Sequence, residues 1–190
     1  MAGPGFPINP MRRCRGSFPP LQPAAMAAPA PRSEFTRDLP DLAATRAFAR
    51  ELAPVLRRGD VVGLSGELGS GKTAFARALI EAVAERFHCP REEVPSPTFT
   101  LVQTYDFPGL SVWHFDLYRI ESPEEAAELG IEEAFASALS LIEWPERLGP
   151  YLPPGHLSIA LEYADGEARR ARITAPGAWA ARLAPLARHA

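Results

Sequence analysis

Apolar and polar positions along this chain follow two alternating periods. Residues 61–65 (Val61-Val62-Gly63-Leu64-Ser65) and 139–143 (Leu139-Ser140-Leu141-Ile142-Glu143) are short, nearly continuous apolar runs. That is the pattern of strands buried on both faces of a parallel sheet. Leu42, Phe48, Leu52, Val55 and Leu56 instead recur at helical spacing behind Asp41, a candidate N-cap. Residues 74–80 carry a second helical stripe, and Cys89-Pro90 ends that pattern. Ser122-Pro123-Glu124-Glu125 opens a third helix, with Ser at the N-cap, Pro at the first position and Glu at the third. Gly130 closes it, and a short helix follows to about residue 138. Residues 34–39 predict an edge strand stopped by Pro40. Residues 99–107 and 110–118 predict a hairpin turning at Pro108-Gly109. Residues 157–163 and 168–175 predict another, turning at Asp165-Gly166. Residues 176–190 read as a loose terminal helix.

Between the first apolar strand and its helix lies Gly66-Glu67-Leu68-Gly69-Ser70-Gly71-Lys72-Thr73, which fits G-x-x-x-x-G-K-[ST]. Strand, Gly-rich turn and helix in that order are the context a phosphate-binding loop requires. The glycines let successive backbone N–H groups point inward, and the helix start adds the positive end of its dipole. Lys72 brings a full charge to the β/γ-phosphates, and the Thr73 hydroxyl is placed for Mg²⁺. Glu67, Leu68 and Ser70 contribute mainly backbone N–H groups. The expected fold is α/β: a P-loop NTPase, three layers α/β/α, with a mixed, mostly parallel sheet and antiparallel hairpins.

A P-loop needs a carboxylate from a neighbouring strand, and two strands offer one. Val112-Trp113-His114-Phe115-Asp116 ends in an acid suited to Mg²⁺ or the attacking water. Asp116 as a cap on the next turn is the competing reading. Glu143 ends the more apolar run and is the better Walker B candidate. Trp144-Pro145 follows it, and Trp144 either packs on the P-loop, faces a partner or is core. His114 reads as a packed or capping histidine rather than a catalyst. Val94-Pro95-Ser96-Pro97-Thr98 is stiff and extended. It is either a γ-phosphate-sensing switch using Ser96, Thr98 and Thr100, or a plain Pro-rich connection. Arg169, Arg170 and Arg172 ride on the last strand, solvated or with one approaching a nucleotide.

Composition narrows the classes further. At 190 residues, 46% hydrophobic and 23% charged, the chain suits one folded domain with a proper core. A net charge of −3 argues against a basic nucleic-acid surface of its own. Cys14 and Cys89 do not make a disulfide framework or a zinc site, which fits a reducing compartment. No run reaches the length of a membrane span. Residues 1–33 are Pro-rich and lack acids. They read as a disordered extension or as residues upstream of a start at Met26, with an Arg-bearing transit peptide as the alternative. The expected organisation is that extension, a P-loop domain over 34–176, and a tail or helix over 177–190.

Taken together and in order, Glu67 to Thr73, Ser96-Pro97-Thr98-Phe99-Thr100-Leu101-Val102, His114-Phe115-Asp116-Leu117-Tyr118-Arg119, Glu128-Leu129-Gly130 and Ile142-Glu143-Trp144-Pro145-Glu146 closely resemble the TsaE (YjeE) family. These are small bacterial P-loop ATPases of tRNA threonylcarbamoyladenosine (t6A) biosynthesis. The resemblance covers about residues 34–175. It implies ATP and Mg²⁺ as cofactors, with Lys72 on phosphate and Thr73 on Mg²⁺. It implies a first switch at residues 96–100, Asp116 as the essential acid near the γ-phosphate, and Glu143 as a Mg²⁺-associated acid. Trp144 would lie at the nucleotide site or a partner surface, and Thr45 near the base. The implied catalytic set is Asp116, Lys72 and Glu143, and the metal set is Thr73, Glu143 and Asp116. The implied nucleotide set is Thr45, Glu67, Leu68, Gly69, Ser70, Gly71, Lys72, Thr73, Ala74, Ser96, Thr98 and Trp144. The implied partners are TsaD and TsaB, with tRNA reached only through them, in the cytoplasm. Ser70 departs from the family, where Ala is usual. A small-molecule kinase is the alternative, but a hairpin stands where its lid would be. A GTPase is disfavoured because the only Asn is Asn9, so Asn-Lys-x-Asp is absent.

Overall fold

The structure, a computed structural model, describes residues 32–90 and 93–188. Seven strands form one sheet: β1 (Arg32–Leu39), β2 (Val61–Ser65), β3 (Val102–Phe107), β4 (Leu110–Asp116), β5 (Leu139–Glu143), β6 (Leu157–Tyr163) and β7 (Arg169–Pro176). Their order across the sheet is β1-β7-β6-β2-β5-β4-β3. β6, β2, β5 and β4 are mutually parallel, whereas β7 and β3 run against their neighbours. β1 pairs antiparallel to β7 and so shares the direction of the central strands. The sheet is therefore mixed and mostly parallel, as expected.

Helices cover both faces. α1 (Leu42–Leu52), α2 (Lys72–Arg86) and α5 (Ala180–Ala187) pack on one, where Phe48, Phe75, Leu79, Val62, Leu64, Leu141 and Leu183 are buried together. α3 (Pro123–Glu128) and α4 (Ile131–Ser137) pack on the other with Phe115, Leu117, Ile131, Ile142 and Leu148. The sequence signals operate at the helix ends. Asp41 Oδ1 accepts from Ala44 N at 2.7 Å as the N-cap of α1. Ser122 and Glu125 form a capping box on α3. Gly130, at φ +78°, turns the chain between α3 and α4, where a Cβ would press on the Trp113 ring at 3.3 Å.

Several features differ from expectation; β4, for one, ends at Asp116 rather than at residue 118. Residues 99–101 make a turn rather than the start of β3: Leu101 N donates to Pro97 O at 2.6 Å, and Leu101 sits at φ +64°. β1 begins at Arg32, two residues early; the rest of the expected 1–33 extension, with its Met26 start, lies outside the described residues. The terminal helix is docked, not loose. Trp179, Leu183 and Leu186 are buried, and Arg182 pairs with Asp60 and donates to Val55 O at 3.0 Å. Its apolar stripe was too short to separate a packed helix from a frayed one.

Candidate nucleotide-binding site

The carboxyl ends of β2, β4 and β5 lie side by side, and the buried Lys72, His114, Asp116 and Glu143 gather there. Alternation along a strand decides which side chains face α2. On β4, His114 and Asp116 share the face of Leu110 and Val112; on β5, Glu143 shares that of Leu139 and Leu141. Register sets Asp116 opposite Glu143, and Glu143 opposite Leu64 of β2. Both carboxylates thereby meet the first turn of α2.

The loop from β2 to α2 is built on positive φ: +135° at Gly66, +78° at Gly69 and +102° at Gly71. At Gly66 a Cβ would lie 2.3 Å from Leu161 O and 2.7 Å from Ser70 Oγ, so only glycine fits. Lys72 Nζ donates to Gly66 O at 2.7 Å and Glu67 O at 2.8 Å. The Trp144 ring covers it, 3.8 Å from Nζ, with Trp144 itself at φ +61°. Burial lowers the Lys72 pKa below the ordinary lysine value; Glu143, Glu146 and Asp116 work in the opposite sense.

The acids are held by hydroxyls. Thr73 Oγ1 donates to Glu143 Oε2 at 2.7 Å, and Thr98 Oγ1 donates to Asp116 Oδ2 at 2.6 Å. Ser96 Oγ lies 2.8 Å from Thr98 Oγ1, and Tyr118 N donates to Asp116 Oδ1 at 3.1 Å. The segment Ser96–Thr98 therefore reaches the acid, as a switch must. Thr100 does not: it is exposed, and its Oγ1 accepts from Gln103 Nε2 at 3.1 Å. The turn at residues 99–101 carries it away from the site.

Two cavities meet at Gly71 and Ala74. One, of 290 Å³, is lined by Leu68, Gly69, Lys72, Thr73, Thr98, Asp116, Tyr118, Glu143 and Trp144. The other, of 160 Å³, is lined by Leu39, Asp41, Leu42, Thr45, Ser70, Leu161, Glu167 and Arg169. Thr45, predicted to lie near a base, is on this second side, and its Oγ1 donates to Asp41 O at 3.2 Å. Glu67 lines neither cavity and contributes its carbonyl to Lys72. Trp144 packs on Lys72 and is at the same time partly buried against the core beneath α3 and α4.

Sequence reasoning left His114 and Tyr163 out of the site and did not say which of three arginines would reach it. His114 is buried, as expected of a packed histidine, but its Nε2 lies 2.9 Å from Glu143 Oε1. The two-residue spacing to Asp116 was the available signal, because it puts both on one strand face. Arg169 alone of its arginine trio lines a cavity; Arg170 pairs with Asp38 and Arg172 with Glu162. Tyr163 donates its hydroxyl to Leu68 O at 2.8 Å and stacks under Arg169, tying β6 to the loop.

The donor set suits a magnesium–phosphate ligand. Two carboxylates and a hydroxyl, all oxygen, are what Mg²⁺ takes when phosphate completes its shell. Among the described residues no three His, Cys, Asp or Glu side chains form a free-standing metal site. The glycine cradle, with positive φ at Gly66, Gly69 and Gly71, suits the approach of a ligand's oxygens to backbone N–H groups.

Comparison with known proteins agrees. Residues 39–172 match the family model described as "Threonylcarbamoyl adenosine biosynthesis protein TsaE". The chain is 41% identical over 131 residues to the tRNA threonylcarbamoyladenosine biosynthesis protein TsaE of Rickettsia bellii, covering 68% of this chain and 88% of the relative. It is 33% identical over 147 residues to the Haemophilus influenzae protein of that name, covering 74% and 89%. A crystal structure of Bacillus subtilis YdiB superposes with a TM-score of 0.67 at 28% identity, covering 83% of this chain and 97% of that one. A P-loop fold with this register of acids, matched over most of its length, places the chain in the TsaE family.

Proposed function

We propose that the chain is a Mg²⁺-dependent ATPase of t6A biosynthesis. It would act with a TsaD–TsaB pair in threonylcarbamoylation of adenosine in tRNAs reading codons that begin with adenine. The observation that carries the reading is the bond from Thr73 Oγ1 to Glu143 Oε2 at the foot of the glycine cradle, with Asp116 opposite in register. The curated relatives bear the name of that tRNA modification. The net charge of −3 agrees with tRNA being held by partners, and no helix among the described residues is long and apolar enough to cross a membrane. A cytoplasmic setting belongs to the same proposal.

Thr73, Glu143 and Asp116 would hold Mg²⁺, which supplies neutralisation of charge on the β- and γ-phosphate oxygens. The chain's own residues do the rest. Backbone N–H groups of residues 67–74 surround the phosphates. Lys72 exchanges the Gly66 and Glu67 carbonyls for phosphate oxygens and keeps Trp144 as its cover. Asp116 accepts a hydrogen bond from a water and aligns it on the γ-phosphorus. As the water oxygen bonds to the γ-phosphorus, the bond to the bridging oxygen breaks, ADP leaving with that electron pair, and one water proton passes by way of Asp116 to a phosphate oxygen, so that inorganic phosphate is the other product. Ser96 and Thr98, already linked to Asp116, report whether the γ-phosphate is present. Lys72, Thr73 and Thr98 must exchange their present partners for those of a nucleotide, and turnover is slow until partner proteins favour that exchange.

ATP turnover by the purified chain with TsaD, TsaB and Mg²⁺ tests this. Turnover should vanish with chelator and fall on the order of 100-fold or more in Lys72→Ala. A Lys72→Ala chain that hydrolyses ATP as fast as the parent overturns the reading.

A further inference from the structure

His114 is 0% exposed in the middle of the sheet, and its Nδ1 has no hydrogen-bond partner. A buried imidazole with one nitrogen unsatisfied costs free energy, so an apolar residue would serve packing better. What His114 has instead is Glu143. That carboxylate is 1% exposed, and both its oxygens are used: Oε1 lies 2.9 Å from His114 Nε2, and Oε2 accepts from Thr73 Oγ1. A glutamate side chain has a soft terminal torsion. Tied at one oxygen it cannot rotate, and the other is kept toward α2. Because Oε1 has no other donor, Nε2 carries the proton in this pair.

We propose that His114 is a positioning residue: it anchors Glu143 Oε1 so that Oε2 stays on Thr73 and on the metal the two would share. The inference rests on the magnesium–nucleotide reading above and goes beyond it. His114 touches neither cavity, so it acts only through Glu143. A ligand held by such an outer partner loses about 10- to 100-fold in metal affinity when the partner is removed.

The test measures binding of a fluorescent (mant) ATP analogue to the full chain, in chelator and across a Mg²⁺ titration, with thermal unfolding alongside. His114→Leu fills the volume without a donor, whereas His114→Gln places an amide nitrogen near the position of Nε2. The expected result for H114L is metal-free affinity within about twofold of the parent, with the half-saturating Mg²⁺ concentration raised roughly 10- to 100-fold. H114Q should recover most of that loss. A purely structural histidine would move the unfolding temperature and both affinities together. If H114L does not fold, His114→Asn, polar but too short to reach Glu143, replaces it with the same expected loss. An unchanged Mg²⁺ requirement in the donor-less variant, or no recovery in H114Q, overturns the inference while leaving the nucleotide reading intact. A parent whose binding is identical with and without Mg²⁺ overturns both.

Discussion

The two cavities that meet at Gly71 and Ala74 are made on opposite principles. On the Lys72 side each charged group is bonded to another part of the site: Lys72 to loop carbonyls, Thr73 and His114 to Glu143, Thr98 and Tyr118 to Asp116. On the Thr45 side Leu39, Leu42 and Leu161 share the wall with Asp41, Thr45, Glu167 and Arg169, whose bonds run mostly to backbone close in sequence: Thr45 to Asp41 O, Arg169 to Glu167 O and Ala168 O. A ligand entering the first must exchange existing hydrogen bonds for its own, so binding there is coupled to rearrangement. A ligand entering the second meets bonds that are mostly local to one segment, so it disturbs fewer contacts between segments. The difference separates a half that handles charge from a half that handles shape, within one loop's reach.

The largest effect expected from this contrast is on turnover. Asp116→Asn keeps the shape and a partner for Thr98 but removes the charge. It should lower kcat on the order of 100-fold with a smaller loss of Mg²⁺-nucleotide affinity, read by steady-state kinetics with the partner proteins. A matching loss of affinity would mean that Asp116 serves binding instead. Next comes Gly66→Ala, which drives a Cβ into Leu161 O and Ser70 Oγ at the start of the loop that both halves share. It should destabilise the chain by about 2–3 kcal/mol in urea unfolding and abolish binding of the fluorescent nucleotide.

Arg169→Ala sharpens the comparison from the shape side. Nucleotide affinity should fall several-fold, on the order of 1 kcal/mol, equally in Mg²⁺ and in chelator. A loss confined to Mg²⁺ would erase the distinction between the halves. The smallest effect concerns Lys72 in the free chain. Its pKa is lowered on folding, so between the folded and unfolded values the unfolded chain binds more protons. Folding is therefore favoured progressively as pH rises toward about 10. Lys72→Met should lack that rise, so the difference in urea midpoint between parent and variant should shift in the parent's favour from neutral to alkaline pH. Tyr105, whose pKa burial raises, contributes alike to both chains and cancels.

The charge-handling half was largely legible in advance. Gly66 to Thr73 is a contiguous motif whose conformation is dictated locally, and Asp116 and Glu143 end apolar runs that could only be buried strands. The shape half was much less so. Leu39, Thr45, Leu161 and Arg169 come from four segments, and each has an unremarkable local pattern. Thr100 was misplaced because a turn closed by Leu101 N to Pro97 O leaves no mark in hydrophobic periodicity. Docking of the terminal helix leaves no local mark either, because it depends on the surface that Trp179 and Leu183 meet, here the sheet face at β1 and β7.

What the amino-acid order determined by itself is whatever short-range sterics and period enforce: the glycine cradle, the helix caps, the strand faces and which acids end which strands. Only the tertiary structure decided that β4 lies beside β5 with Asp116 opposite Glu143, that His114 reaches across to Glu143, and that Arg169 closes a cavity begun by Thr45. The physical reason is that strand order and register are settled by the burial of whole faces against α1, α2 and α5. That is a property of the assembled sheet, which no single window of sequence contains.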